Sequence, residues 1–380
     1  MARKETKCQM ALDTLRTEIL SGKFASPNAF PSVTGVGRRF GISRLTAVKV
    51  FDKLKGEGLI LSRPGSGTYV TKAGASRKIG LIVPGVASSE FFPPIVSEIN
   101  RLARESGRTL LFGEVYSEDG NERLRQVREL AAEFIRAHVA GVIYQPIEGM
   151  PDARAANERI LAAFRRANVP VVLIDSDVAP LPARSDFDVV GINDVEAGMN
   201  LAEHLLSVGA RTIHFLLPPN GAAADANRYL GLLSALNARA GWKQRRKPLL
   251  VADPDDIAAL RRHLRGGRPD AFICSNDRNA AVFCQTLEQV GISVPRDMLL
   301  AGFGDLQIAR LMTPRLTTVS QSVCKLAQIT FERLTERIAN PAMLPLGIML
   351  PAPLVVRAST EKGLAGRHVK KTTRKQKQHT

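Results

Sequence analysis

The residues best placed to do chemistry are cationic and lie near the N-terminus. Arg38 and Arg39 close one short amphipathic stretch. In the next, Arg44, Thr46, Lys49 and Lys53 fall away from the apolar positions Val48, Phe51 and Leu54. Guanidinium, ammonium and hydroxyl groups presented on one helix suit phosphate oxygens and base edges. Downstream, Ser62-Arg63-Pro64-Gly65-Ser66-Gly67 separates the β-prone runs 59–61 and 68–70. This predicts a hairpin whose glycine tip brings backbone N–H groups close to phosphate with no Cβ in the way.

Charge placement points the same way. Residues 1–78 hold 15 Lys/Arg against 5 Asp/Glu, residues 79–361 hold 31 against 31, and residues 362–380 hold 7 against none. The net +17 of the 380-residue chain thus sits at its two ends. A concentrated basic end is the electrostatic footprint of polyanion binding, and the neutral middle suits a small-molecule receptor. The four cysteines, Cys8, Cys274, Cys284 and Cys324, show no C-x-x-C spacing, so neither a metal site nor a disulfide framework is expected. With no signal-like segment and no long apolar run, a cytoplasmic protein with no membrane contact is expected.

These groups need elements to hold them. Leu12, Leu15, Ile19 and Leu20 recur at helical spacing, and Ser21-Gly22 offers a stop. Pro31-Ser32 starts a second helix that runs to Phe40. Gly41-Ile42-Ser43 then makes a tight turn in which Ser43 caps a third helix over residues 44–56. Gly35 and Gly37, inside the second helix, each cost about 0.8–1 kcal/mol relative to alanine, so that helix is expected to be marginal on its own.

The ordered set Phe30-Pro31-Ser32, Gly41-Ile42-Ser43-Arg44-Leu45-Thr46, Glu57-Gly58-Leu59-Ile60 and Arg63-Pro64-Gly65-Ser66-Gly67-Thr68-Tyr69-Val70 resembles the winged helix-turn-helix of the GntR family of bacterial regulators. The resemblance implies double-stranded operator DNA as partner. It also implies Arg44 as a base or phosphate contact, Ser43, Thr46 and Lys49 beside it, and Arg63, Gly65 and Gly67 in the wing. Where the family often carries an arginine two residues after its Pro-Ser serine, this chain has Thr34, and Arg38 and Arg39 are the candidates to replace that charge.

After a polar linker, 72–78, strand candidates at 79–83, 109–112, 141–144, 171–174, 189–192, 212–217, 271–274 and 298–303 alternate with helical stretches such as 95–106, 122–137, 195–208 and 280–290. That alternation predicts βαβ units and parallel sheets, and nearly 280 residues suggests two lobes. Four stretches resemble the effector-binding core of LacI/GalR regulators, built like a periplasmic sugar-binding protein. They are residues 169–175, the run 191–198 with 204–209, residues 269–277, and the run 302–305 with 314–319.

This second resemblance implies a sugar-like effector held at strand C-terminal ends, with Asp175, Arg228 and Asn276 at the family's contact positions. Carboxylate, guanidinium and amide form the set that a polyol requires. Phe91 and Phe92 offer a stacking wall. Gly304 stands where the family has an aspartate after Gly-Phe; Asp305 beside it is a further effector-contact candidate, with bracing of the loop as its other role.

The expected class is α/β: a winged helix-turn-helix over 1–71, the linker 72–78, a two-lobed domain with parallel sheets over 79–357, and a basic disordered tail over 358–380. A homodimeric repressor without cofactor or catalytic residues is the leading expectation. A pyridoxal-phosphate aminotransferase-like regulator and a non-regulatory sugar-binding protein stay open. The first needs a buried Schiff-base lysine, and the middle region offers only Lys243, Lys247 and Lys325.

Overall fold

The computed structural model describes residues 7–20, 23–24, 29–57, 59–63, 67–71, 77–84, 89–115, 119–150, 152–219, 221–239 and 247–361. The chain opens with α1 (Lys7–Leu20), β1 (Ala29–Phe30), α2 (Val33–Phe40), α3 (Arg44–Gly56), β2 (Ile60–Arg63) and β3 (Gly67–Val70). The three strands form an antiparallel sheet in the order β1-β3-β2, with Arg63 opposite Gly67 and Ala29 opposite Tyr69. Leu12, Leu15 and Ile19 of α1 meet Val36, Phe51 and Leu54 in one core, where Phe30 and Phe51 pack edge to face at 5.4 Å.

Local chemistry sets the helix ends. The Ser32 hydroxyl accepts from Gly35 N at 3.1 Å, and the Ser43 hydroxyl accepts from Thr46 N at 3.2 Å, each satisfying an otherwise orphaned N–H. Gly41 adopts φ +60 between the two helices, a conformation that suits glycine. Gly37 also has a packing reason, because a Cβ there would sit 3.2 Å from the Ile42 carbonyl oxygen. Arg16 of α1, almost fully buried, binds Glu57 through Nε at 2.9 Å and Nη2 at 2.5 Å, fixing α1 to the end of α3. The inner face of α3 is Ala47, Val50, Phe51 and Leu54. Val48, expected on that face, is instead exposed, because a helical repeat of 3.6 places Val50 rather than Val48 beside Leu54 and Phe51. The stop expected at Ser21-Gly22 lies outside the described residues.

Next come β4 (Lys78–Pro84), α4 (Phe92–Glu105), β5 (Thr109–Val115), α5 (Gly120–Arg136), β6 (Gly141–Tyr144), α6 (Ala153–Arg166), β7 (Val171–Ile174) and β8 (Asp188–Ile192). The chain continues through α7 (Asp194–Ser207), β9 (Ile213–Leu217), α8 (Ala223–Asn237), β10 (Leu249–Val251), α9 (Ile257–Leu264), β11 (Ala271–Cys274), α10 (Asp277–Gln289), β12 (Leu299–Gly304), α11 (Gln307–Leu311) and β13 (Thr317–Ser320). It ends with α12 (Val323–Ala339), β14 (Gly347–Leu350), β15 (Leu354–Val355) and α13 (Ala358–Glu361). Lys78 therefore belongs to a strand rather than to the linker. Among the described residues two compact units result, one holding those up to Ile147 with Asp152–Val190 and Cys324–Ile348, the other holding 148–150, Gly191–Val323 and 349–361.

In the first unit a six-stranded sheet runs β14-β8-β7-β6-β4-β5, with β4 to β8 pairing in parallel. β6 and β7 are buried at every position, as expected of parallel strands covered on both faces. The fully buried Asp188 carboxylate accepts from Arg333 Nε at 2.8 Å, Arg337 Nε at 2.7 Å and Leu346 N at 2.8 Å, tying α12 and the segment before β14 to β8.

In the second unit the order is β10-β9-β11-β12-β13-β15, parallel except for the last pair. Phe215, Ile273, Ala301 and Phe303 face α7 and α8, whereas Leu216, Phe272, Cys274 and Leu300 face α9 and α10, the alternation that a pleated strand requires. Residues 358–361, expected in a disordered tail, form α13 and are anchored. Ser359 Oγ donates to Leu300 O at 2.6 Å, and Thr360 Oγ1 lies 2.6 Å from Thr317 Oγ1 and 2.9 Å from His204 Nε2. The remainder of that basic segment, 362–380, lies outside the described residues.

Helices α7 and α8 touch backbone to backbone. A Cβ on Gly198 would stand 2.1 Å from the Arg228 carbonyl oxygen, and one on Gly231 would stand 2.1 Å from the Val195 carbonyl oxygen. Gly198→Ala should therefore destabilise the protein by about 1–3 kcal/mol through overpacking, although alanine is by itself about 1 kcal/mol the better helix former. A rise in the denaturant midpoint of the variant would contradict this packing.

Candidate nucleic-acid interface and effector site

The α3 N-terminus gathers Ser43, Arg44 and Thr46 in its first turn. Arg44 is exposed, and the Thr46 hydroxyl lies 2.9 Å from the Ser43 hydroxyl. Lys49 follows one turn on, also exposed. The partial positive charge of a helix N-terminus adds to Arg44 in attracting phosphate. Arg38 is exposed in the last turn of α2.

Arg39 is engaged elsewhere. Its two terminal nitrogens each bind a Glu18 carboxylate oxygen at 2.5 Å, and its guanidinium lies 4.9 Å over the Phe40 ring. Hydrogen bonds from Arg39, assisted by Lys23, hold the Glu18 carboxyl down at about 2. Arg39 thus braces α2 against α1, a tertiary pairing that sequence spacing does not announce. Gly67, with φ +107, opens β3 opposite Arg63; Gly65 lies outside the described residues.

The effector candidates divide between the units. In the first, Asp175 follows β7 at φ +73, its N–H donating to Val190 O at 2.8 Å. Phe91 and Phe92 lie at the start of α4, half-buried, with ring centroids 5.0 Å apart at 75°.

In the second, Arg228 is 6% exposed. Its Nε donates to Asp194 Oδ1 at 2.8 Å and its Nη1 to Ser275 O at 2.7 Å, Asp225 lies 3.5 Å away, and its guanidinium stacks 4.7 Å over Phe303. Burial raises both the Asp194 and Asp225 carboxyls, and the arginine opposes that rise. Asn276 caps α10 by accepting from Asn279 N at 2.8 Å. Arg228 therefore reaches the C-terminal end of β11 one residue before Asn276, where open α/β sheets place their ligands. Asp305, at φ +53, braces its loop by binding Arg310 Nη2 at 2.7 Å and Arg357 Nη2.

Sequence reasoning quoted Asp277 only as part of a motif. It is fully buried; Thr318 Oγ1 donates to its Oδ1 at 2.6 Å and Leu306 N to its Oδ2 at 2.9 Å. A Cβ on Gly302 would lie 2.6 Å from Asp277 Oδ1, so glycine there makes room for the carboxylate. No group of three or more His, Cys, Asp or Glu among the described residues could hold a metal ion. No helix among them is long and apolar enough to cross a membrane.

Comparison with known proteins agrees with this architecture. Residues 7–70 match bacterial regulatory proteins of the gntR family, and residues 202–360 match the periplasmic binding protein-like domain. The arabinose metabolism transcriptional repressor of Geobacillus stearothermophilus is 25% identical over 363 residues, covering 90% of this chain and 94% of its own. The HTH-type transcriptional repressor PurR of Mannheimia succiniciproducens is 25% identical over 295 residues, 77% of this chain and 83% of its own. Among solved structures, a LacI family transcriptional regulator from Enterococcus faecium with bound ribose superposes with a TM-score of 0.60 at 24% identity, covering 74% of this chain and 98% of that one.

The chain thus joins a GntR-type winged helix-turn-helix to a periplasmic-binding-protein-like fold of parallel sheets. Its homologues are transcriptional repressors with ligand-binding effector domains, which sets the aminotransferase alternative aside.

Burial pushes the Asp277 carboxyl up to about 6. An unfolded aspartate titrates near 3.9, so the native state binds the proton more tightly and stability falls as pH rises from about 4 to about 6. The stability of the wild type minus that of Asp277→Asn should drop by about 3 kcal/mol across this window. Urea melts at a series of pH values would show it, and a flat difference would contradict the burial argument.

Proposed function

We propose that this protein is a DNA-binding transcriptional repressor whose operator binding is modulated by a sugar-like effector. The observation that carries the reading is the union, in one chain, of an exposed basic helix capped by Ser43 with a parallel sheet at whose β11 end lie Asn276 and the guanidinium of Arg228 from α8. Ser43, Arg44, Thr46 and Lys49 contact the operator, with Arg38 on the preceding helix and Arg63, Gly65 and Gly67 in the wing. Arg228 and Asn276 supply the second unit's polar contacts to the effector; Asp175 and, as an apolar wall, Phe91 and Phe92 are the first unit's candidates.

The protein acts as a cytoplasmic homodimer on a near-palindromic site, since a two-fold assembly presents two recognition helices to two related half-sites. It performs no catalysis. The arabinose repressor named above and the ribose bound to the Enterococcus relative support pentoses as the first effectors to try.

A ligand that binds only the native state raises the melting temperature. A thermal-shift panel of arabinose, ribose, cellobiose and phosphorylated pentoses should yield at least one stabilising sugar for the wild type. That sugar should have no effect on Asp175→Asn, which keeps the side-chain shape and tolerates positive φ but loses the carboxylate. No stabilisation by any sugar, or equal stabilisation of the variant, would overturn the assignment.

A further inference from the structure

The outer face of α3 is not uniformly polar. Leu45 is 70% exposed and Val48 37% exposed, although Ala47, Val50, Phe51 and Leu54 already fill the inner face of this helix. Positions three apart on a helix are surface neighbours, so the two form one apolar spot rather than two scattered residues. At about 100° per residue they fall between Arg44 on one side and Lys49 on the other. Asp52, the exposed carboxylate on this face, lies a full turn beyond Val48.

An apolar spot framed by cations at the N-terminal end of a helix fits one occupant well. The major groove of a DNA duplex carries phosphates along its walls and, at each thymine, a C5-methyl group on its floor. A protein surface would more often meet such a spot with carboxylates against both cations. Residues 1–78 carry 15 basic against 5 acidic groups, so the whole region repels other cations and attracts polyanions.

We propose that Leu45 and Val48 are specificity-determining residues that pack against thymine methyl groups, so that the site read by α3 carries thymine where they land. Arg44 and Lys49 supply attraction and register, while the two aliphatic side chains tell thymine from cytosine. The inference rests on the reading of α3 as the helix that enters the groove.

The test begins with duplexes selected by the full chain from a random pool. The enriched duplex is resynthesised with deoxyuridine replacing one thymine at a time, which removes a methyl and leaves every hydrogen-bonding group in place. At one or two thymines in each half-site, deoxyuridine should weaken wild-type binding about fourfold, the worth of one buried methyl at about 0.8 kcal/mol. At those positions Leu45→Ala or Val48→Ala should bind the thymine and deoxyuridine duplexes equally. Leu45→Ala should melt as the wild type does, because that residue is 70% exposed, and Val48→Ala serves as the second variant.

A deoxyuridine penalty that is absent, or that persists unchanged in both variants, overturns the inference. If the pool enriches and Arg44→Ala loses affinity while deoxyuridine costs nothing, this inference alone fails. If no sequence enriches and Arg44→Ala binds DNA as the wild type does, the DNA-reading role of α3 fails with it. A Leu45→Ala chain that keeps its DNA affinity but loses self-association makes the spot a protein interface and likewise refutes the proposal.

Discussion

Removing a guanidinium from water costs several kcal/mol unless partners surround it, and Arg228 meets that cost with Asp194 at 2.8 Å, the Ser275 carbonyl at 2.7 Å, Asp225 at 3.5 Å and the face of Phe303. Those partners come from α7, α8, β12 and the residue that follows β11, so one side chain ties together several elements of the second unit. The arrangement depends on the contact between α7 and α8, because Asp194 opens one helix and Arg228 lies on the other. Glycine at 198 and 231 lets the two backbones touch; any side chain there would separate the carboxylate from the guanidinium. A buried ion cluster of this kind is better regarded as a device for fixing geometry than as a source of net stability.

The N-terminal region solves a parallel problem with smaller means. Helices of 8 and 13 residues are too short to be stable alone. Caps at Ser32 and Ser43, the left-handed turn at Gly41, the buried Arg16–Glu57 pair and the Arg39–Glu18 brace hold them to α1 and to each other. The consequence is an outward face on α3 whose composition is released from packing duty. Arg44, Leu45, Val48 and Lys49 are there because nothing inside the protein requires them to be otherwise.

Much of this was legible in the sequence because it rests on local chemistry. The serine caps, Gly41 and the bounds of α2 and α3 follow from which groups can satisfy orphaned N–H donors. The apolar runs of β6, β7 and β11 follow from burial on both faces. The strands β10, β13, β14 and β15 were not legible, being two to four residues long and, in β13, Thr-Thr-Val-Ser, a run with no strong apolar signal. Val48 stands three residues before Phe51 and six before Leu54, a spacing that suits the inner face about as well as that of Val50, and only the fold shows that Val50 is the one turned inward. Arg39 reads in the sequence as a candidate DNA-contacting charge, and only the fold brings Glu18, 21 residues away, against it. The burial of Asp277 and the anchoring of α13 likewise depend on partners 29 to 156 residues distant.

The central claim is that a ligand of the effector domain and DNA at α3 act on one equilibrium. Coupling of that kind is reciprocal by linkage. The direct measurement is the affinity of the stabilising sugar, by calorimetry, with and without a saturating amount of the selected duplex. The account predicts that DNA weakens sugar binding by the same factor as the sugar weakens DNA binding, a factor of about 5 to 150 for typical coupling energies. Identical sugar affinities in the two titrations would contradict it.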